Sequence, residues 1–116
     1  MKKLGLAMIG LIGMIGCVSN KAARVKLPSM MSDSLKKVTM EQCNKGMALF
    51  IENCSSCHSD STKKKPTIPD FSPEQLSNYE FRFANKKHEE QLSETQLSQD
   101  ELVQIITFLT YKRKNK

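Results

Sequence analysis

From Thr39 onward the apolar positions fall into stretches with helical spacing, separated by polar breaks. Cys43, Gly46, Met47, Phe50 and Cys54 recur at i, i+3, i+4, i+7 and i+11, which is one face of a helix. Thr39, followed by Gln42 three residues on, predicts the start of that helix and gives it a span of 39–53. A second start signal reads Ser72-Pro73 with Gln75 completing a capping box, and it opens a predicted helix over 73–86. Leu76, Tyr79 and Phe83 are its inward candidates. The clearest signal comes last. Ser98 and Glu101 form a capping box, Leu97 and Leu102 stand at the positions of a hydrophobic staple, and Leu102, Ile105, Ile106 and Leu109 keep one face with Phe108 beside them. That predicts a helix over 99–112, with Lys112, Arg113 and Lys114 suiting its negative end. Residues 59–71 carry Lys63-Lys64-Lys65 and two prolines and read as a loop. Before Thr39 the pattern differs. Leu4 to Ile15 is an apolar run, whereas 18–37 is polar and basic, contains Pro28 and lacks a clean apolar period. Such a segment is expected to be a flexible tether.

A chain of 116 residues is enough for one small domain and too short for a large core. The formal net charge is +6, and removing Lys2 and Lys3 with a cleaved leader leaves 16 basic against 12 acidic residues. A basic surface suits nucleic acid, anionic lipid or an acidic protein. Nothing in the chain resembles a nucleic-acid motif, so the surface is expected to be solvated or to meet an acidic partner. The four cysteines are Cys17, Cys43, Cys54 and Cys57. They read as separate features rather than a disulfide framework. Cys43 lies on the inward face of the first helix, where a free thiol behaves as a small hydrophobe.

The chemistry concentrates in Asn53-Cys54-Ser55-Ser56-Cys57-His58. Cys-x-x-Cys-His is the attachment sequence of a c-type haem. Two thiols one turn apart reach the two vinyl groups of the macrocycle. The histidine that follows places an imidazole under the iron. A thioredoxin-like site needs a βαβ setting, and none is apparent. A zinc site needs about four ligands, and beyond the motif only Cys17, Cys43 and His88 remain as soft or imidazole donors.

The flanks widen the match. Gly46-x-x-Leu49-Phe50-x-x-x-Cys54-x-x-Cys57-His58, then Pro66-Thr67-Ile68, then a last helix with Phe108-Leu109, resemble the class I cytochrome c family over residues 38 to 112. The resemblance implies an all-α fold of three or more short helices around one covalent haem c. It implies that Cys54 and Cys57 anchor the haem and that His58 is the proximal ligand. It also implies that the first and last helices cross closely at Gly46, beside Phe50 and Phe108. In the family a proline carbonyl orients the proximal histidine, a place open here to Pro66 or Pro69. The family's far-side ligand is a methionine between the middle and last helices, and this chain has none after Met47. His88 stands near that place, nine residues before Leu97, and is the candidate distal ligand. A lysine, water, Met47, Met40 or an open site are the alternatives.

Residues 1–16 read as an export signal, with Lys2 and Lys3 ahead of an apolar run too short for a confident membrane span. Met14-Ile15-Gly16-Cys17 resembles a bacterial lipoprotein signal, which implies lipidation at Cys17, a tether over 17–37 and a haem domain over 38–116. An ordinary cleaved leader and an uncleaved anchor are the rival readings, and each places the domain outside the cytoplasm. The expectation is a one-electron carrier of the bacterial cell envelope, facing the periplasm. It would have redox-protein partners, a membrane anchor, no nucleic acid and no substrate that it converts. A haem sensor or enzyme with an open sixth iron site, or a cytochrome subunit of a larger oxidoreductase, are the alternatives.

Overall fold

The computed structural model describes residues 22–59, 67–92 and 97–115. The helices in chain order are α1 (Asp33–Asn53), α2 (Pro73–Ser77), α3 (Tyr79–Phe83), α4 (Lys86–Gln91) and α5 (Gln99–Tyr111). The described residues form no β-sheet, so the all-α expectation holds. None of the described helices is long and apolar enough to cross a membrane. The expected leader, Cys17, Lys63 to Lys65 and Pro66 lie outside the described residues.

The main packing is α1 across α5. Cys43, Phe50, Leu102, Ile105, Phe108 and Leu109 are buried there, with Cys43 fully buried. The period read from the sequence thus marks the buried face of both helices. The helices meet where Gly46 leaves room. A Cβ on Gly46 would lie 2.0 Å from the Gln104 carbonyl oxygen and 2.9 Å from the Phe108 Cβ. Backbone cannot yield to such a contact, so glycine is required there by proximity, as expected. Burying the two phenylalanines stabilises the crossing by roughly 1.5–3 kcal/mol each.

The helix starts are partly as read. Both capping boxes form. Ser72 Oγ accepts from the Gln75 N–H at 3.1 Å while the Ser72 N–H donates back at 2.8 Å. Ser98 and Glu101 do the same at 3.1 and 3.0 Å. The predicted helix over 73–86 is instead two single-turn helices, α2 and α3, broken at Asn78. The short α4 follows, starting at Lys86 and carrying His88.

The start of α1 is corrected. It begins at Asp33, not Thr39, and is capped by Ser32, whose Oγ accepts from the Leu35 N–H at 3.3 Å. Thr39 lies inside the helix and is buried. Leu35 and Val38 are exposed, so this early part of the helix shows no apolar period. The cap and Asp33 in the first turn, which complements the helix dipole, mark it instead.

Much of the described part of the stretch expected to be a tether, 17–37, is ordered against the domain instead. Ala23 and Val25 are buried in the core and Leu27 packs against it. Val25 pairs antiparallel with Lys112. The Lys26 N–H donates to the Tyr111 carbonyl at 2.8 Å, the Arg113 N–H to the Arg24 carbonyl at 3.1 Å, and the Ala23 N–H to Asn44 Oδ1 at 2.8 Å. The physical reason is a short period of two: Ala23, Val25 and Leu27 face the core while Arg24 and Lys26 stay exposed.

Candidate haem site

The Cys-x-x-Cys-His segment continues directly from α1. Cys54 ends the helix, its N–H donating to the Phe50 carbonyl at 2.8 Å. One more turn follows, in which the Cys57 and His58 N–H groups donate to the Cys54 carbonyl at 3.2 and 2.9 Å. The Asn53 and Ser55 side chains bond back to the Leu49 and Ile51 carbonyls at 2.9 and 2.5 Å. The motif is therefore a closed turn fixed to the end of the best-packed helix. Both thiols are free, with Cys54 half-buried and Cys57 exposed. Burial, then the neighbouring Cys57, pushes the Cys54 thiol up.

Opposite stands His88. Its ring centroid is 5.9 Å from that of His58, with 31° between the ring planes. Each ring has an aromatic neighbour: Phe71 meets His58 edge-on at 5.8 Å, and Phe83 stacks on His88 at 5.1 Å. Burial lowers the His58 pKa, and the nearby His88 and Lys87 lower it further, which favours the neutral imidazole.

The local sequence explains the placing of His88. Asn85 caps α4, its Oδ1 accepting from the His88 N–H at 3.0 Å. The Asn85 Nδ2 donates to the Arg82 carbonyl at 2.5 Å, and His88 Nδ1 lies 3.1 Å from that same carbonyl. A carbonyl only accepts, so this bond needs the proton on Nδ1, and in the neutral ring Nε2 is then the bare nitrogen. The sequence reading had His88 but missed Asn85 and the Arg82 carbonyl. An asparagine before Lys-Lys-His-Glu-Glu is an N-cap signal that would have shown the short helix.

The donors fit the group that the motif implies. Metal–imidazole bonds of about 2 Å place two rings on opposite sides of one metal roughly 6 Å apart, centroid to centroid. The observed spacing of the histidine rings is 5.9 Å. The free thiols lie on the same turn as one of those rings. The structure thus brings Cys54, Cys57, His58 and His88 to one place.

Cys43 is not part of this site. Its thiol lies 3.9 Å from the Thr107 carbonyl in the helix crossing, and burial pushes it up to about 11. It packs there as a small apolar group.

A helical domain that ends its first helix in a Cys-x-x-Cys-His turn belongs to the class of covalent haem proteins. The model of the family described as Cytochrome c matches residues 43–111, more than half of the chain, and the protein belongs to that family. Membership implies one covalently bound haem c and the role of a haem-based electron carrier, with redox proteins as partners. The family is generally one of carriers, although some of its members are enzymes, and in bacteria its domains are typically extracytoplasmic. Comparison with curated proteins and with solved structures gives no match.

Proposed function

We propose that this protein is a membrane-tethered, single-haem cytochrome that carries one electron at a time between redox proteins of the bacterial cell envelope. Cys54 and Cys57 are the covalent anchors, His58 the proximal ligand and His88 the distal ligand. When bound, the haem supplies an iron that alternates between the ferric and ferrous states.

The chain's own residues do the rest. The thiols fix the macrocycle to the end of α1. His58 and His88 would both hold the iron through imidazole nitrogens, which would leave no open position on it for a substrate. The Arg82 carbonyl orients His88 through Nδ1, as a hydrogen-bond partner outside the ligand shell commonly does. Phe71 and Phe83 flank the two rings and reduce the access of water. Two imidazoles give a lower potential than imidazole with a thioether, so the carrier is a low-potential one.

The anchor is a lipid on Cys17, following cleavage of residues 1–16, with the domain facing the periplasm. The motif at Met14 to Cys17 and the apolar run before it support this. The basic excess suits acidic donors and acceptors.

The observation that carries the ligand assignment is the facing pair of imidazoles, with His88 tethered through Nδ1. Ferric electron paramagnetic resonance of the full chain, matured with haem in a bacterial periplasm, tests it. A low-spin bis-imidazole signal is expected. His88→Met is expected to replace that signal and raise the potential. A methionine–iron charge-transfer band or a high-spin iron in the unmodified protein would overturn it.

A further inference from the structure

We propose that the strap at 22–27 and the tail at 112–115 together form a cationic face that docks on an anionic phospholipid surface. The inference rests on the membrane-tethered reading above and goes beyond it. A lipid on Cys17 explains attachment. It does not say which side of the domain meets the bilayer.

The pairing of Val25 with Lys112 sets the register. Arg24 then lies directly opposite Arg113, as their backbone hydrogen bond requires. Residues so placed hold their Cβ atoms about 5 Å apart, and like charges there repel. Val25 and Lys112 turn inward, where the Lys112 ammonium meets Asp70. Arg24, Lys26, Arg113 and Lys114 are exposed. Asp70 already feels the charges of Lys112 and Lys114. No carboxylate among the described residues lies within ion-pair distance of Arg24, Lys26 or Arg113. A two-stranded pairing that sets arginine against arginine costs the fold something unless an anionic surface lies across it.

The chain itself points to that surface. From Arg24 back to Cys17 there are seven residue steps, a reach of at most roughly 25 Å. A lipid on Cys17 would therefore hold this face within roughly 25 Å of the headgroups. A basic patch beside a lipid anchor is a common second signal for anionic membranes. This face uses none of the residues of the haem site.

The arginines of the chain are Arg24, Arg82 and Arg113, which supplies an internal control. The haem-loaded full chain is reconstituted on vesicles of neutral phosphatidylcholine, or of phosphatidylcholine with phosphatidylglycerol. Each arginine is then labelled with phenylglyoxal and counted by mass spectrometry. The expected result is labelling roughly tenfold slower at Arg24 and Arg113 on the anionic vesicles than on the neutral ones, with Arg82 unchanged. Salt at about 0.5 M should restore the rate. Flotation with the neutral vesicles reports the lipid anchor separately. Flotation on both vesicle types with equal labelling at all sites would overturn the docking face and leave the anchor standing. Absence of flotation on either would overturn both. Protection by soluble polyglutamate, with none by anionic lipid, would assign the face to an acidic protein and overturn the inference.

Discussion

The two halves of the haem site rest on very different supports. The proximal half hangs from α1, which crosses α5 with Phe50, Ile105 and Phe108 all buried to 2% exposure and with backbone against backbone at Gly46. The distal half hangs from α2, α3 and α4, helices of five, five and six residues that bury no residue completely. Helices of that length do not persist on their own. They are held by caps and by a stack of Phe83 on His88. One side is a scaffold packed by its own side chains and backbone. On the proposed reading, the other would become fully determined only when His88 meets the iron.

That contrast can be broken most severely at Gly46. Gly46→Val would drive branched carbon into the Gln104 carbonyl and Phe108. The expected loss is about 3 kcal/mol or more, at or above the usual cost of overpacking, because the obstacle is backbone. Thermal unfolding of the matured protein, and its yield, would show it. A variant as stable as the parent would mean that the helices do not approach as described. The next largest effect is expected from removing the haem. Amide hydrogen exchange in the haem-free protein should stay slow at residues 43–50 and 105–109 and become fast across 73–92. Uniformly fast exchange would mean that the crossing also depends on the cofactor.

The crossing was legible in the sequence because its signals are periodic and its caps are local. Cys43, Gly46 and Phe50 repeat at helical spacing, and so do Leu102, Ile105 and Leu109, so burial follows from pattern alone. The Cys-x-x-Cys-His turn was legible for the same reason, since its donors are contiguous. The strap was not. Three inward residues at a period of two, in a basic stretch with Pro28 beyond, look like linker until a partner strand is known, and that partner is 87 positions away at Lys112. The distal side was legible only in its histidine. What orients His88 is a backbone carbonyl at Arg82, and no side-chain pattern announces a carbonyl.

Asp70 joins the two supports, so it sharpens the comparison at an intermediate scale. Its carboxylate takes the ammonium of Lys112 and the Asn115 N–H, while Asn115 Nδ2 donates to the Ile68 carbonyl at 2.8 Å. This ties the loop bearing Phe71, which touches His58, to the end of α5. Burial alone would raise the Asp70 carboxyl. The bonds from Lys112 and Asn115, with the charges of Lys112 and Lys114, outweigh it and hold the group below its ordinary value. Its contribution is therefore present above the unfolded pKa of about 4 and lost as pH falls through the lower folded value. Asp70→Asn leaves the Lys112 ammonium, with its side chain only 8% exposed, without its counter-charge. The expected cost is roughly 1–3 kcal/mol at neutral pH, reduced from that of a fully buried pair because Asp70 is a third exposed. Denaturant titrations at successively lower pH should show the gap between parent and variant begin to narrow as pH falls below about 4. A gap that does not narrow with falling pH would place the effect elsewhere.

The smallest effect separates orientation from support. Asn85 does two things at once: it caps α4 through the His88 N–H and, through Nδ2, shares the Arg82 carbonyl with the His88 ring. Asn85→Ala removes both and should cost about 1 kcal/mol, the usual value of a helix cap. Asn85→Asp keeps the capping oxygen and loses the donor to the carbonyl. If the crossing carries global stability while Asn85 serves the distal side, neither change should move the main thermal transition by more than a few degrees. The spectroscopic outcome should differ between them. The alanine variant is expected to broaden the low-spin ferric signal, because a frayed α4 lets the His88 ring rotate. The aspartate variant should keep α4 and a narrow signal. Equal narrow signals from both would show that His88 is held by its bond to the Arg82 carbonyl and by Phe83, with the cap irrelevant to the iron.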